Sequence, residues 1–123
     1  MGSESPATLA VIQQFHDAFN RHDVAAIMAL MTDDCVFENT YPPPDGQRFA
    51  GAAAVRACWL ALFAASPHAH FEVEELIALG ERAVLCWRYT WEDAAGVARH
   101  IRGVDIFRVR DGKVAEKLSY VKG

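Results

Sequence analysis

Long apolar runs are missing from this sequence: no stretch approaches the roughly eighteen uninterrupted apolar residues of a membrane span. A surplus of positive charge is missing too. Twelve Lys and Arg stand against 16 Asp and Glu, a formal net charge of -4, which excludes a protein held on nucleic acid mainly through phosphates. Cysteine is scarce. Cys35, Cys58 and Cys86 are an odd number at wide spacings, which gives no disulfide framework and no metal-binding pair, and so points to a reducing, cytoplasmic setting. There is no Gly-rich phosphate loop and no Ser-His-Asp order, so no cofactor is expected. The opening Met1-Gly2-Ser3-Glu4 lacks the basic-then-apolar order of a signal peptide.

What the chain has is apolar and aromatic mass. Its 123 residues are 52% hydrophobic, enough for one core and hence one domain over 1–123. Seven Phe, three Trp and three Tyr are more rings than a core of this size needs.

The pattern changes once along the chain. Ser5-Pro6 opens a helix, since Ser can cap and Pro at the first turn has no N–H to lose. Leu9, Ile12, Phe15, His16 and Phe19 then recur at helical spacing to about Arg21. Asp23 caps a shorter helix that carries Val24, Ile27, Met28, Leu30 and Met31. Cys35 to Asn39 reads as a short strand, stopped by Tyr41-Pro42-Pro43-Pro44-Asp45-Gly46, where three prolines forbid helix and central strand. An Ala-rich helix follows from Gly51 to about Ala65. Beyond Ser66-Pro67 the period becomes two, predicting strands over 70–79, 83–91, 99–110 and 114–121, with Asp111-Gly112 as a hairpin turn. Helices first and strands after predict an α+β fold, with a strongly curved antiparallel sheet wrapped over the helices.

These elements carry local words: Phe15-His16-Asp17-Ala18-Phe19-Asn20, Asp23, Thr32-Asp33-Asp34-Cys35-Val36-Phe37, Gly51, Gly103-Val104-Asp105-Ile106-Phe107-Arg108 and Asp111-Gly112-Lys113-Val114. In order and wording the chain resembles the SnoaL-like branch of the NTF2-like superfamily over nearly its whole length. The resemblance implies a cone with three helices and a short strand, whose bent sheet encloses an apolar pocket. It also implies a homodimer paired through the sheet. Similar proteins include ketosteroid isomerases, polyketide cyclases and an epoxide hydrolase, so the fold leaves the chemistry open.

Asp105 is the first candidate. Ile101, Gly103, Phe107 and Val109 share its strand face, and a carboxyl facing a core must be hydrogen-bonded or protonated. It reads either as a pocket acid that donates a hydrogen bond or as a buried Asp satisfied by neighbours. By resemblance it lies where ketosteroid isomerases carry a hydrogen-bond-donating aspartic acid. The same resemblance puts Asn39 in the segment of the isomerase base and Phe15 in place of the oxyanion-holding tyrosine, which argues against steroid isomerisation. Compared with the epoxide hydrolase, Asn39 matches a water-holding asparagine and Arg88 an arginine, but Thr90 and Ser119 fall near its two aspartates.

His16, on the apolar stripe of the first helix, is the second acid–base candidate, with a core histidine as its alternative. Asp17, Asn20 and Asp23 read as capping and solvent residues. Lys117 alternates with Glu116 on a strand whose inward face the pattern leaves open, and it reads as a solvated lysine, with a reactive buried lysine as the alternative. His68 and His70 form a lone His-x-His, which predicts no metal. Phe15, Phe19, Phe37, Tyr41, Trp59, Phe63, Trp87, Tyr89 and Phe107 are expected to line the pocket, with Tyr41 as its rim. The expected function is binding of a small, largely apolar molecule, with cofactor-free acid–base catalysis of isomerase, cyclase or hydratase type. The alternative is a non-catalytic ligand-binding or dimerising module of the same fold.

Overall fold

The computed structural model describes residues 5–122; the leader reading at 1–4 lies outside the described residues. Helix α1 spans Pro6–Asn20 and α2 Val24–Ala29. They are followed by strands β1 (Met31–Glu38) and β2 (Arg48–Ala50), helix α3 (Ala52–Ala65), and strands β3 (His70–Leu79), β4 (Arg82–Glu92), β5 (Ala98–Arg110) and β6 (Lys113–Val121). The six strands form one strongly curved, unclosed sheet in the order β2-β1-β6-β5-β4-β3. The expected α+β class and cone hold.

Helix α1 buries Ile12, Phe15, Ala18 and Phe19 against the sheet, the face that the 3.6-residue period selects. Its polar tie is Thr8, whose hydroxyl donates to the Gly80 carbonyl at 2.6 Å. Pro6 starts the helix as expected, but the Ser5 side chain makes no capping bond. Asp23 does cap α2, accepting from the Ala26 N–H at 3.0 Å.

Three local expectations change. Helix α2 ends at Ala29, because the Leu30 carbonyl accepts from the Val114 N–H and Met31 pairs with Val114. Pairing to the last strand thus overrides helix propensity, and β1 starts at Met31. The sheet is not wholly antiparallel, since β1 runs parallel to β6. Strand β2 was not foreseen. It returns from the Pro-rich loop to place Phe49 opposite Phe37, with the rings stacked at 6.1 Å.

Two residues fix how closely the backbones approach. A Cβ at Gly46, which has φ +70°, would lie 2.0 Å from the Asn39 carbonyl oxygen, so only glycine closes this loop. A Cβ at Gly103 would lie 2.2 Å from the Tyr120 carbonyl oxygen and 2.7 Å from the Trp87 ring. That missing side chain is the space across which the Trp87 indole lies.

On the outer face, the charged residues of β5 meet acids of neighbouring elements. Arg102 pairs with Glu74 at 2.9 Å, Arg108 with Glu116 at 3.9 Å, and Arg110 with Asp34. Among the described residues, no helix is long and apolar enough to cross a membrane.

Candidate functional site

The curved sheet and α3 enclose a cavity of about 590 Å³. Helix α3 gives it room, because Ala54, Ala57 and Ala61 face it with small side chains three and four residues apart. Phe19, Phe37, Trp59, Trp87 and Tyr89 line it, and Tyr41 stands at the rim, 74% exposed. Phe49 and Phe71 line it as well, which the sequence reading missed.

Three rings expected in the wall are elsewhere. Phe15 and Phe107 meet edge to face at 5.7 Å in the core, closing the narrow end of the cone around a void of about 20 Å³. Phe63 turns away from the cavity to stack on His22 at 4.3 Å and to meet the edge of Phe19 at 5.0 Å. In each case ring-on-ring packing removes the side chain from the open space.

The cavity floor is polar. Asp105 is 4% exposed and Lys117 only 6%, which overturns the expectation of a solvated lysine. Lys117 Nζ lies 3.2 Å from Asp105 Oδ2 and donates to Ser119 Oγ at 3.1 Å. The Ser119 hydroxyl donates to Asp105 Oδ1 at 2.6 Å. Asp105 Oδ1 therefore accepts a hydrogen bond and Oδ2 faces the ammonium as an ion pair, the arrangement of a buried Asp satisfied by its neighbours. Taking two charges out of water costs several kcal/mol each, which only close, well-bonded geometry offsets.

Strand register explains the cluster. Ser119 is opposite Asp105, and Lys117 is opposite Phe107, two residues along the same face. On its other side Lys117 pairs with Phe37 of β1. The ammonium accordingly lies 4.6 Å from the Phe37 centroid and 5.6 Å from those of Phe19 and Trp59, within the range of cation–π attraction. One of its N–H groups is bonded to Ser119, and its charge is paired with Asp105. Lys117 and Ser119 line the open cavity, whereas Asp105 borders only the small void behind them. Asp105 can therefore reach a molecule in the cavity only through these two neighbours.

Two further donors belong to rings that line the chamber. The indole N–H groups of Trp59 and Trp87 are buried without an acceptor among the described residues. Cys58 also lines the cavity. Burial pushes its thiol pKa up against the opposing charge of Lys117, so it stays a thiol near neutral pH.

His16 faces the small void beside Asp105 and does not line the open cavity. Asn20, expected in solvent, instead clamps β3. It accepts from the Phe71 N–H and donates to the Phe71 carbonyl, both at 2.8 Å. That pairing fixes the amide orientation and turns its NH₂ toward His16 Nε2 at 3.1 Å, which makes Nε2 an acceptor and the ring neutral. Burial lowers the His16 pKa, partly opposed by the Phe71 carbonyl and the charges of Asp17 and Asp105. Asn39 is at the cavity mouth, with Oδ1 accepting from the Gln47 N–H at 2.7 Å. Its carbonyl oxygen thus holds the Pro-rich loop. Arg88 is on the outward parity of β4 and does not line the cavity. Among the described residues, no group of three or more His, Cys, Asp or Glu could hold a metal ion.

The model of the SnoaL-like domain matches residues 12–117. The chain belongs to the SnoaL-like domain family. An NTF2-like protein of unknown function from Mesorhizobium loti shares 41% identity with this SnoaL-like chain, covering 100% of it and 97% of that protein, with a TM-score of 0.83. TerC, crystallised with polyporic acid, shares 17% identity over 94% of this chain and 92% of its own, with a TM-score of 0.81. A protein of ketosteroid isomerase-like fold from Catenulispora acidiphila, in complex with trimethylamine, shares 12% identity over 89% of this chain and 83% of its own, with a TM-score of 0.79. The last two likenesses concern the fold alone. No curated protein matches the sequence.

Proposed function

We propose that this SnoaL-like domain binds a small, largely apolar, aromatic molecule carrying an oxygen acceptor, and moves protons on it without a cofactor. One observation carries the reading: a buried Lys117–Asp105–Ser119 cluster forms the floor of an aromatic cavity of about 590 Å³. An apolar pocket with a few convergent polar groups is the usual form of a small-molecule site. In such surroundings an ammonium hydrogen bond to a ligand oxygen is far stronger than in water. Lys117 and Ser119 touch the ligand, with Asp105 holding or receiving the proton behind them. His16 tunes the same floor from the closed end, and Asn39 and Tyr41 shape the mouth. TerC and the Catenulispora protein, each crystallised with an organic molecule, share this fold.

The test is titration of the protein with 2-naphthol, followed by quenching of Trp59 and Trp87 fluorescence. Saturable binding is expected. Ala57→Trp, at an exposed cavity-facing position, should weaken it by about tenfold or more by filling the space while leaving the unfolding midpoint in place. Binding that does not saturate, or that Ala57→Trp leaves unchanged, refutes the proposal.

We also propose a homodimer through the sheet. Across its outer face Ile77, Val84, Ile106 and Leu118 are consecutive cross-strand partners, and Cys86, Val104 and Tyr120 form a second row. Ile77 is 47% and Tyr120 52% exposed. A contiguous apolar stripe rimmed by ion pairs has the anatomy of an interface. Light scattering should give twice the chain mass, and Ile106→Glu should return it to one.

A further inference from the structure

We propose that Lys117 forms a covalent imine with an apolar, aromatic aldehyde or ketone held in the cavity. The inference rests on the ligand-binding reading above and names the substrate class of that site. Three observations converge on it. Lys117 is the one amine that lines the cavity among the described residues, and it is buried. One of its N–H groups is bonded to Ser119, its charge faces Asp105, and the space beside it is open to a ligand. A carboxylate that can take its proton lies 3.2 Å away.

The last point matters most, because only a neutral amine attacks a carbonyl. Passing one proton from Lys117 to Asp105 replaces two buried charges with two neutral groups, and desolvation of the ion pair favours that exchange. No external base is needed. The cavity also discriminates by chemistry. The Lys117 charge is already matched by Asp105, so an anionic ligand would add an unmatched charge to an apolar site, whereas a neutral carbonyl adds none.

The steps balance. The Lys117 nitrogen lone pair forms the C–N bond, and the carbonyl π pair moves to oxygen. That oxygen takes back the proton held by Asp105, relayed through the Ser119 hydroxyl, to give a carbinolamine. The nitrogen, which now bears two protons and a positive charge, passes one of them to the hydroxyl, and the lone pair this leaves expels water. The product is an iminium, so that ammonium plus carbonyl gives iminium plus one water, with no change in oxidation state. Asp105 acts through its neighbours and is a positioning and proton-holding residue.

The experiment incubates the full chain with 2-naphthaldehyde and sodium cyanoborohydride, whose hydride fixes any imine as a secondary amine. Intact mass and peptide mapping then locate the adduct, which adds the mass of the aldehyde less one oxygen. The chain has three lysines. Lys113 and Lys122 are exposed and serve as internal controls within the same protein. Lys117 should be labelled about tenfold or more faster than either, and 2-naphthylmethanol, the same shape without a carbonyl, should slow labelling at Lys117 alone. Equal labelling of the three lysines, or labelling of Lys117 that naphthylmethanol does not slow, overturns the proposal. Where naphthylmethanol quenches the tryptophans yet Lys117 stays unlabelled, the imine is refuted and the binding reading stands. Where neither naphthyl compound binds, both fall.

Discussion

Replacing Lys117 tests whether the cluster on the cavity floor is an ion pair. Lys117→Met has similar length and no charge, and it leaves Asp105, 4% exposed, with Ser119 as its remaining donor. An unpaired buried carboxylate costs about 3 to 5 kcal/mol when its partner is removed. Folded domains have only about 5 to 15 kcal/mol to lose. The single variant should therefore unfold on the order of 10 °C lower. Asp105→Asn alone should cost a similar amount, because it strands the ammonium among Phe19, Phe37 and Trp59. The double variant has no buried charge left, and Ser119 can still donate to the new amide oxygen. Its loss should be about 1 kcal/mol or less.

The assay is a double-mutant cycle by urea denaturation at pH 7 and fixed protein concentration. The coupling energy should exceed about 2 kcal/mol, with the double variant more stable than either single one. Single variants within about 0.5 kcal/mol of the parent, adding without coupling, would refute the ion pair. If Lys117→Met does not accumulate as folded protein, Asp105→Asn compared with the double variant tests the same term. A double variant no more stable than Asp105→Asn would be the refuting result.

Three further outcomes follow from the same geometry. Because burial lowers the His16 pKa below its ordinary 6.5, the unfolded chain takes up the proton first. Its stabilising contribution is thus present above about pH 6.5 and is lost as pH falls toward the folded value; the urea midpoint should drop between pH 7.5 and 5.5, and less so in His16→Gln. Gly103→Ala would drive a methyl into the Tyr120 carbonyl and the Trp87 ring; an overpacking loss of about 1 to 3 kcal/mol is expected, with a shifted tryptophan emission maximum. Asn20→Ala removes both partners of Phe71 and should cost about 2 to 3 kcal/mol, with faster amide exchange at Phe71 as the local readout.

The fold was legible because most of its elements announce themselves locally. Helical spacing in α1, the Asp111-Gly112 turn and period-two strands each follow from short-range physics. What the sequence hid were pairings between distant segments. Met31 has every reason to continue a helix until Val114 takes it into a parallel ladder, and three residues, Arg48–Ala50, are too few to read as a strand without Phe37 opposite. The pocket was half legible. An excess of rings implied it, and the Ala54, Ala57, Ala61 spacing could have shown where the space lay. Which rings face it was not readable, since Phe15, Phe63 and Phe107 have the same chemistry as Phe19, Phe37 and Trp59.

Lys117 was missed for a reason that can be stated residue by residue. From the Asp111-Gly112 turn, Arg110 pairs with Lys113 and Val109 with Val114. Continued without interruption, that register would set Glu116 against Phe107 and Leu118 against Asp105, leaving Lys117 outside. Instead Arg108 pairs with Glu116, so β6 gains one residue at Ala115 and every later side chain changes face. The bulge lets Ala115 be buried beside Val114, and it turns Glu116 out to meet Arg82 and Arg108. The same shift brings Lys117 and Ser119 in to meet Asp105. Asp105 had been singled out as an acid that needs a partner. Its partner lies one step of strand parity away, and a single inserted residue in a ladder decides between a solvated lysine and the polar floor of the cavity.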